Sequence, residues 1–184
     1  MTDLAAAYIE ARERLLTLTD GMTHEMYNAK PSESSWSVGE CVVHLNTIAK
    51  GYLPALEAAV ADPSAPRGTG PFRYGWAGRK FVDMLRPGTR PMPTAGAMKP
   101  PASTGLVSEI DLDRSLTRFR EDIDRYLAVV EASDGLDLAA IKIRSPFLKL
   151  VRFQLGVFLD AMGQHCLRHV GQAERAVAAT QGAA

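Results

Sequence analysis

The sequence predicts an all-α protein, a four-helix bundle with a long Pro/Gly-rich crossover between its second and third helices. Three observations carry this. Four segments repeat apolar residues at alternating steps of three and four, the spacing of one helix face. Each stripe covers only part of its helix, so the helices must bury their stripes against one another. Between the second and third segments, residues 62–105 break all periodicity and hold eight of the eleven prolines and seven of the fifteen glycines. The short link between the third and fourth helices predicts that they are antiparallel neighbours. At 184 residues the chain has the length of a single domain, spanning 1–184, with room for a proper core.

The first helix is expected over about Asp3–Leu18, with Leu4, Tyr8, Ala11, Leu15 and Leu18 inward and Thr2 or Asp3 as its cap. Thr19-Asp20-Gly21 stops it. A connector follows that contains His24, read as an exposed loop histidine. Ser37 opens the second helix, with Glu40 at the reciprocal capping-box position. Cys41, His44, Ile48 and Tyr52 form its inner stripe, with Leu45, Ala49 and Leu56 beside them. Pro54 falls inside the pattern and is expected to kink the helix or end its regular part.

The crossover has the length of a functional lid or a disordered loop. One short helix is expected within it, Trp76–Leu85, anchored by Trp76, Phe81 and Leu85. Its charge is lopsided: Arg67, Arg73, Arg79, Lys80, Arg86, Arg90 and Lys99 face only Asp62 and Asp83. Folded over a pocket, those cations would favour an anionic ligand; otherwise they form a solvated surface. The third helix is expected over about Ser108–Ala132, with Leu112, Leu116, Phe119, Ile123, Tyr126 or Leu127, and Val130 inward. Glu121, Asp122, Asp124 and Arg125 are expected outward, and Asp134-Gly135 ends the helix. The connector that follows has room for an extended piece. Ser145-Pro146, a cap and a first-turn proline, opens the last helix, Pro146–Ala178.

Composition excludes several classes. Lys plus Arg and Asp plus Glu both number 21, and no basic run is interleaved with aromatics, so no nucleic-acid partner is expected. No apolar stretch approaches membrane-spanning length, and the acid-containing amphipathic start reads as neither signal nor transit peptide. Two cysteines do not make a disulfide scaffold. The expected compartment is the cytoplasm.

The last helix carries the chemistry. Val151, Leu155, Phe158 and Met162 continue into His165, His169, Ala173 and Ala176 on one stripe. Imidazoles four residues apart lie one turn apart, about 6 Å between Cβ atoms, and both can bind one cation. A third, His44, lies on the inner stripe of the second helix. The pattern has two readings: a metal site, or core histidines satisfied by hydrogen bonds. Glu40, one turn before His44, is a cap residue or a carboxylate that orients the histidine or a water. Gln172, one turn beyond His169, orients that ring or continues the stripe. Cys41 is read as a small buried hydrophobe, with a fourth metal ligand as the alternative. Cys166 points about a quarter turn away from the histidine pair. Asp160 is off their face and is read as a surface charge.

Two separated motifs carry a family resemblance. WSVGECVVHL at 36–45 resembles the second-helix motif of the DinB/YfiT-like family, a tryptophan and serine followed by a histidine eight residues after the tryptophan. RSPFLKLVRFQLGVFLDAMGQHCLRHVGQ at 144–172 resembles its final motif, a proline-led helix ending in H-x-x-x-H-x-x-Q, often with arginine before the second histidine, as Arg168 is here. MKPPAS at 98–103 is similar to the lysine/proline element before the third helix. The resemblance covers nearly the whole chain. Phe147 is followed by Leu148 where many members have glycine, so the start of the last helix is expected to differ.

The resemblance implies a four-helix bundle in which His44, His165 and His169 hold one divalent metal, zinc or nickel, with positions open to water. It also implies a homodimer. The activities it implies are thiol transfer with a low-molecular-weight thiol such as bacillithiol or mycothiol, thiol-dependent isomerisation, or hydrolysis. Three neutral imidazoles and an open position form the pattern of a catalytic rather than a structural zinc. A thiol cosubstrate reacts as thiolate and needs no protein cysteine. Two functions follow: a metal-dependent small-molecule transferase or hydrolase, or a non-catalytic metal- or ligand-binding stress-response protein. A pocket above the histidines favours the first. A lid that plugs them favours the second.

Overall fold

A computed structural model describes residues 2–68, 70–89, 94, 96–147 and 150–182, without the side chains of Thr2 and Asp3. These residues form α1 (Thr2–Thr19), α2 (His24–Asn28), α3 (Val38–Ala61), α4 (Trp76–Leu85), α5 (Leu112–Ala132), β1 (Lys142–Arg144), β2 (Arg152–Gln154) and α6 (Leu155–Gln181). A single 3-10 turn, Gly96–Met98, interrupts the crossover. The protein is mostly helical, and its bundle consists of α1, α3, α5 and α6.

The bundle is a ring. Both α1 and α3 pack against α5 and α6, while α5 and α6 make no comparable contact with each other. The expected neighbour relation of the last two helices is therefore wrong: they lie on a diagonal. The link between them is 22 residues long rather than the short connector expected, and its hairpin carries the chain across.

That hairpin corrects the start of the last helix. Ser145-Pro146 does not open a helix. Ile143 pairs with Phe153, and Ser145 N–H donates to the Val151 carbonyl. Val151 and Phe153 belong to a period-two segment, which a short apolar run does not distinguish from a helical one. The helix starts at Leu155, whose N–H donates to the Ile141 carbonyl, as Gly156 N–H does to Leu138. These carbonyls satisfy orphan first-turn donors in place of a side-chain cap. Leu148, the point of departure from the family pattern, lies outside the described residues.

Other boundaries follow local chemistry. The first helix, α1, is already helical at Thr2, one residue before its expected start. Within the bundle, α3 runs on past Pro54 to Ala61, so the proline does not end it. The third bundle helix, α5, starts at Leu112 rather than near Ser108, and Asp111 caps it by accepting from the Arg114 N–H. Asp122, expected outward, is 2% exposed; Arg118 and Arg125 reach it from the same helix. Burial raises its pKa, against the pull of the two guanidiniums. Its place on the helix puts it beside the core, and the paired arginines make that tolerable.

The core is the meeting of the predicted stripes. Tyr8, Ala11 and Leu15 of α1 are buried, as are Leu116, Phe119, Ile123 and Val130 of α5. Tyr8 stacks on Tyr126 at 5.0 Å. Against α6, α4 lies so close at Gly78 that an added Cβ would stand 2.6 Å from Val157. Phe81 packs on Phe153 and Phe158, and Leu85 is buried, but Trp76 is 77% exposed and anchors nothing.

The crossover is pinned at both ends by backbone. Gly68 N–H donates to Gly135 and Asp137 N–H to Pro66. At the other end Lys30 N–H donates to Leu106 and Ser108 N–H to Asn28. The connector before α3, expected as an irregular stretch, contains α2, which places Asn28 in the interior. Its amide donates to the Ile110 carbonyl and accepts from Ile110 N–H and the Ser108 hydroxyl. Asn28→Ala strips partners from buried groups on the second segment. We expect a loss of about 1–3 kcal/mol in urea unfolding; an unchanged midpoint would show that the clasp is not needed.

Candidate metal centre

The site starts with the capping box. Ser37 Oγ accepts from Glu40 N–H at 3.0 Å, and Glu40 Oε2 accepts from Ser37 N–H at 2.9 Å. This fixes the first turn of α3, and His44 follows one turn later. The last helix, α6, supplies His165 and His169 from the adjoining wall of the bundle. His44, His165 and His169 are 3%, 8% and 6% exposed.

The three rings meet. One nitrogen from each lies within 4.8 Å of the others. His44 Nε2 and His165 Nε2 are 3.3 Å apart, and the His169 ring is centred 4.5 Å from both other rings. Trp36 stacks on His169 at 5.7 Å and tilts over His44 at 5.1 Å, walling the cluster. The sequence motif contains Trp36, but helical periodicity gives no reason to place it there because it precedes the helix.

The protonation states are legible. His44 Nδ1 lies 2.6 Å from the Met98 carbonyl. A carbonyl only accepts, so Nδ1 carries the proton. Burial lowers the His44 pKa, partly opposed by that bond, so the ring is neutral and its Nε2 presents a bare lone pair to His165. Burial, then His44 and Arg168, pushes His165 down to about 3. Burial and both neighbouring rings hold His169 well below the ordinary range, with Gln172 pulling weakly the other way. Neutral imidazoles are the form that binds metal.

Hydrogen bonding accounts for only part of this cluster. Met98 and His165 satisfy His44, but among the described residues Nδ1 of His165 and Nδ1 of His169 have no hydrogen-bond partner. Unpaired buried nitrogens are costly. Three neutral nitrogen donors converging from two helices fit a divalent cation in chemistry and number, with fewer ligands than a closed structural site needs.

The remaining expected residues separate. Glu40 is 2% exposed, and its second oxygen accepts from Ser103 Oγ at 2.8 Å with Lys30 Nζ at 3.9 Å. Lys30 donates to the same Ser103. The nitrogen that an orienting partner would hold on His44 is taken by Met98. Gln172 lies beside His169. Cys41 is buried with its thiol pKa pushed up by burial, and it is outside the nitrogen cluster. Cys166 is pushed up to about 12 by burial. Neither is a thiolate. Asp160 is not a free surface charge: it accepts from Tyr74 Oη at 2.6 Å and from Gln164. His24 is exposed on α2, near the Asn28 amide and apart from the cluster.

A cavity of ≈ 860 Å³ opens against the histidines, and Met98, Lys99, Pro100 and Pro101 of the crossover line it. The crossover borders the cluster without filling the space. Of its expected cations, Lys99 alone among the described residues lines the cavity; Arg90 lies outside them. Arg79 and Lys80 sit over the Tyr74 and Trp76 rings, and Arg86 pairs with Asp83. The cavity's other cations, Lys30, Arg168 and Arg175, come from elsewhere.

Depressed imidazole pKa values have a stability consequence. Below the unfolded value of 6.5 the unfolded chain takes up protons that the folded rings refuse. The metal-stripped protein is therefore most stable above that pH and loses stability below it, by up to about 1.4 kcal/mol per pH unit for each ring. Urea midpoints should fall as pH drops from 6.5 to about 5, less steeply in His165→Ala. Parallel slopes would mean the rings are hydrated.

Among the described residues no helix is long and apolar enough to cross a membrane. Neither a search of curated proteins nor one of solved structures finds a match. The profile of the DinB superfamily matches residues 7–173, which reach from within α1 to within α6 and include all three clustered histidines, and the chain belongs to that family.

Proposed function

We propose that the chain is a metal-dependent small-molecule transferase that uses a low-molecular-weight thiol, with zinc or nickel held by His44, His165 and His169. The observation that carries the reading is the convergence of three neutral imidazoles at the wall of a ≈ 860 Å³ cavity. A divalent ion held there supplies positive charge that lowers the pKa of a thiol or water reaching it.

The chain's own residues favour a thiol over water. A hydrolase profits from a positioned general base. Glu40 is the carboxylate nearest the cluster in the helix pattern, and both its oxygens are engaged by Ser37, Ser103 and Lys30. A thiol loses its proton at a cation without such help. Met98 and Met162 add polarizable sulfur surface to the cavity wall. Trp36 keeps water off two of the rings, and the Met98 carbonyl fixes the His44 tautomer.

Elemental analysis tests the ligand set, on tag-free protein never exposed to a nickel column. We expect about one zinc or nickel per chain and a raised melting temperature on adding the metal. His44→Ala, His165→Ala and His169→Ala should lose it, and His24→Ala should retain it. Equal metal content in all four variants would refute the assignment.

Conjugation of low-molecular-weight thiols to small electrophiles tests the activity. Turnover should vanish on chelation and return with metal. Ester or amide cleavage without thiol conjugation would move the assignment to a hydrolase. Full metal occupancy with neither activity would leave a binding protein.

A further inference from the structure

Beyond the histidines α6 goes on lining the cavity. Arg168, His169, Gln172 and Arg175 all line the cavity. At 1.5 Å per residue the two arginines are rooted about 10 Å apart along the helix, with His169 between them. They are close enough in charge for Arg175 to contribute, after burial, to lowering the Arg168 pKa. Arg168 donates to the Met84 carbonyl and to Thr89 Oγ1, which hold its guanidinium at the cavity edge beside the crossover.

Charge along the wall is unbalanced. Lys30, Lys99, Arg168 and Arg175 line the cavity against Glu33 and Glu40. Glu40 already faces Lys30 at 3.9 Å, so those two charges offset each other. That leaves Lys99 and Arg175 against Glu33, which is exposed, while Arg168 is already engaged by the crossover. Arg175 has no ion pair among the described residues, and its neighbour Glu174 is turned to Arg14 in a paired contact at 2.9 and 2.7 Å. Buried imidazoles add no negative charge, and a divalent ion would add more positive charge.

We propose that the cavity selects a small anionic ligand whose carboxylate or phosphate is bound by Arg175 together with Arg168, within reach of the histidine cluster. The proposal deepens the transferase reading and rests on it for the ligand's reaction, but the binding itself needs only the cavity and the arginines. Planar guanidiniums suit both oxyanions, which they grip through parallel N–H donors. Arg168 directly precedes His169 and Arg175 follows it by six residues, so the pair places the ligand's anionic end along the cavity wall beside that ring.

Calorimetric titration with succinate and, separately, with inorganic phosphate tests this, with metal content measured on the same samples. The variants are Arg175→Gln, exposed and outside the helix's buried face, and Arg120→Gln, an exposed residue of α5 that removes the same charge away from the cavity. We expect saturable binding of at least one probe by the unaltered chain and by Arg120→Gln, and at least about tenfold weaker binding by Arg175→Gln. The stronger probe identifies the oxyanion class. If the samples hold no metal but binding still depends on Arg175, the anion site stands and the metal reading falls. If they hold full metal and neither probe binds, or Arg175→Gln binds as tightly as Arg120→Gln, the anion site is refuted and the metal reading is untouched.

Discussion

The arrangement depends on one expense: three imidazoles taken out of water at a single point. Desolvation keeps them neutral, and neutrality leaves lone pairs that need a partner. Much of the surrounding structure supports that point. The capping box sets where α3 begins, so His44 arrives at a fixed height and angle. The Met98 carbonyl takes the Nδ1 proton and so decides which nitrogen faces inward. Trp36 closes the outer side.

The crossover has two mechanical roles in this scheme. Its ends are tied to distant backbone, Gly68 to Gly135 and Lys30 to Leu106, so a chain of low regularity is held at the mouth of the bundle. Its middle is pressed onto α6, with Gly78 against Val157 and Phe72 beside Gly156. Two glycines remove the side chains that would hold the layers apart. The strip from Met98 to Ser103 is thereby fixed over the histidines while the space next to them stays open.

Much of this was legible in the sequence because each signal was local. Stripes at three/four spacing located α1, α3, α4 and α5, and Ser37 with Glu40 marked a helix start. The histidines could be grouped because all three lay on inward stripes. What failed depended on pairings that the apolar periodicity does not record. The strands around Ile143 and Phe153 are three residues each and exist by pairing, so their short apolar run merged with the helix behind it. Asp122 read as outward because a charged residue is normally solvated; Arg118 and Arg125 at helical spacing compensate its burial. The position of α5 relative to α6 depended on that unseen hairpin. Lys30 and Ser103, which engage Glu40, lie 73 residues apart and left no periodic trace.

The span of the histidine contact bears on how the protein assembles. His44 and His165 are separated by 121 residues, so α3 and α6 must dock before their rings meet. Contacts of such high sequence separation form late, after most loop entropy has been lost. A nascent or partly folded chain therefore offers a cation only the weak pair on one helix, and the full set of donors appears with the finished bundle. Metal capture would then act as a proofreading step on folding, fastening chains whose first and last halves have docked and passing over those that have not.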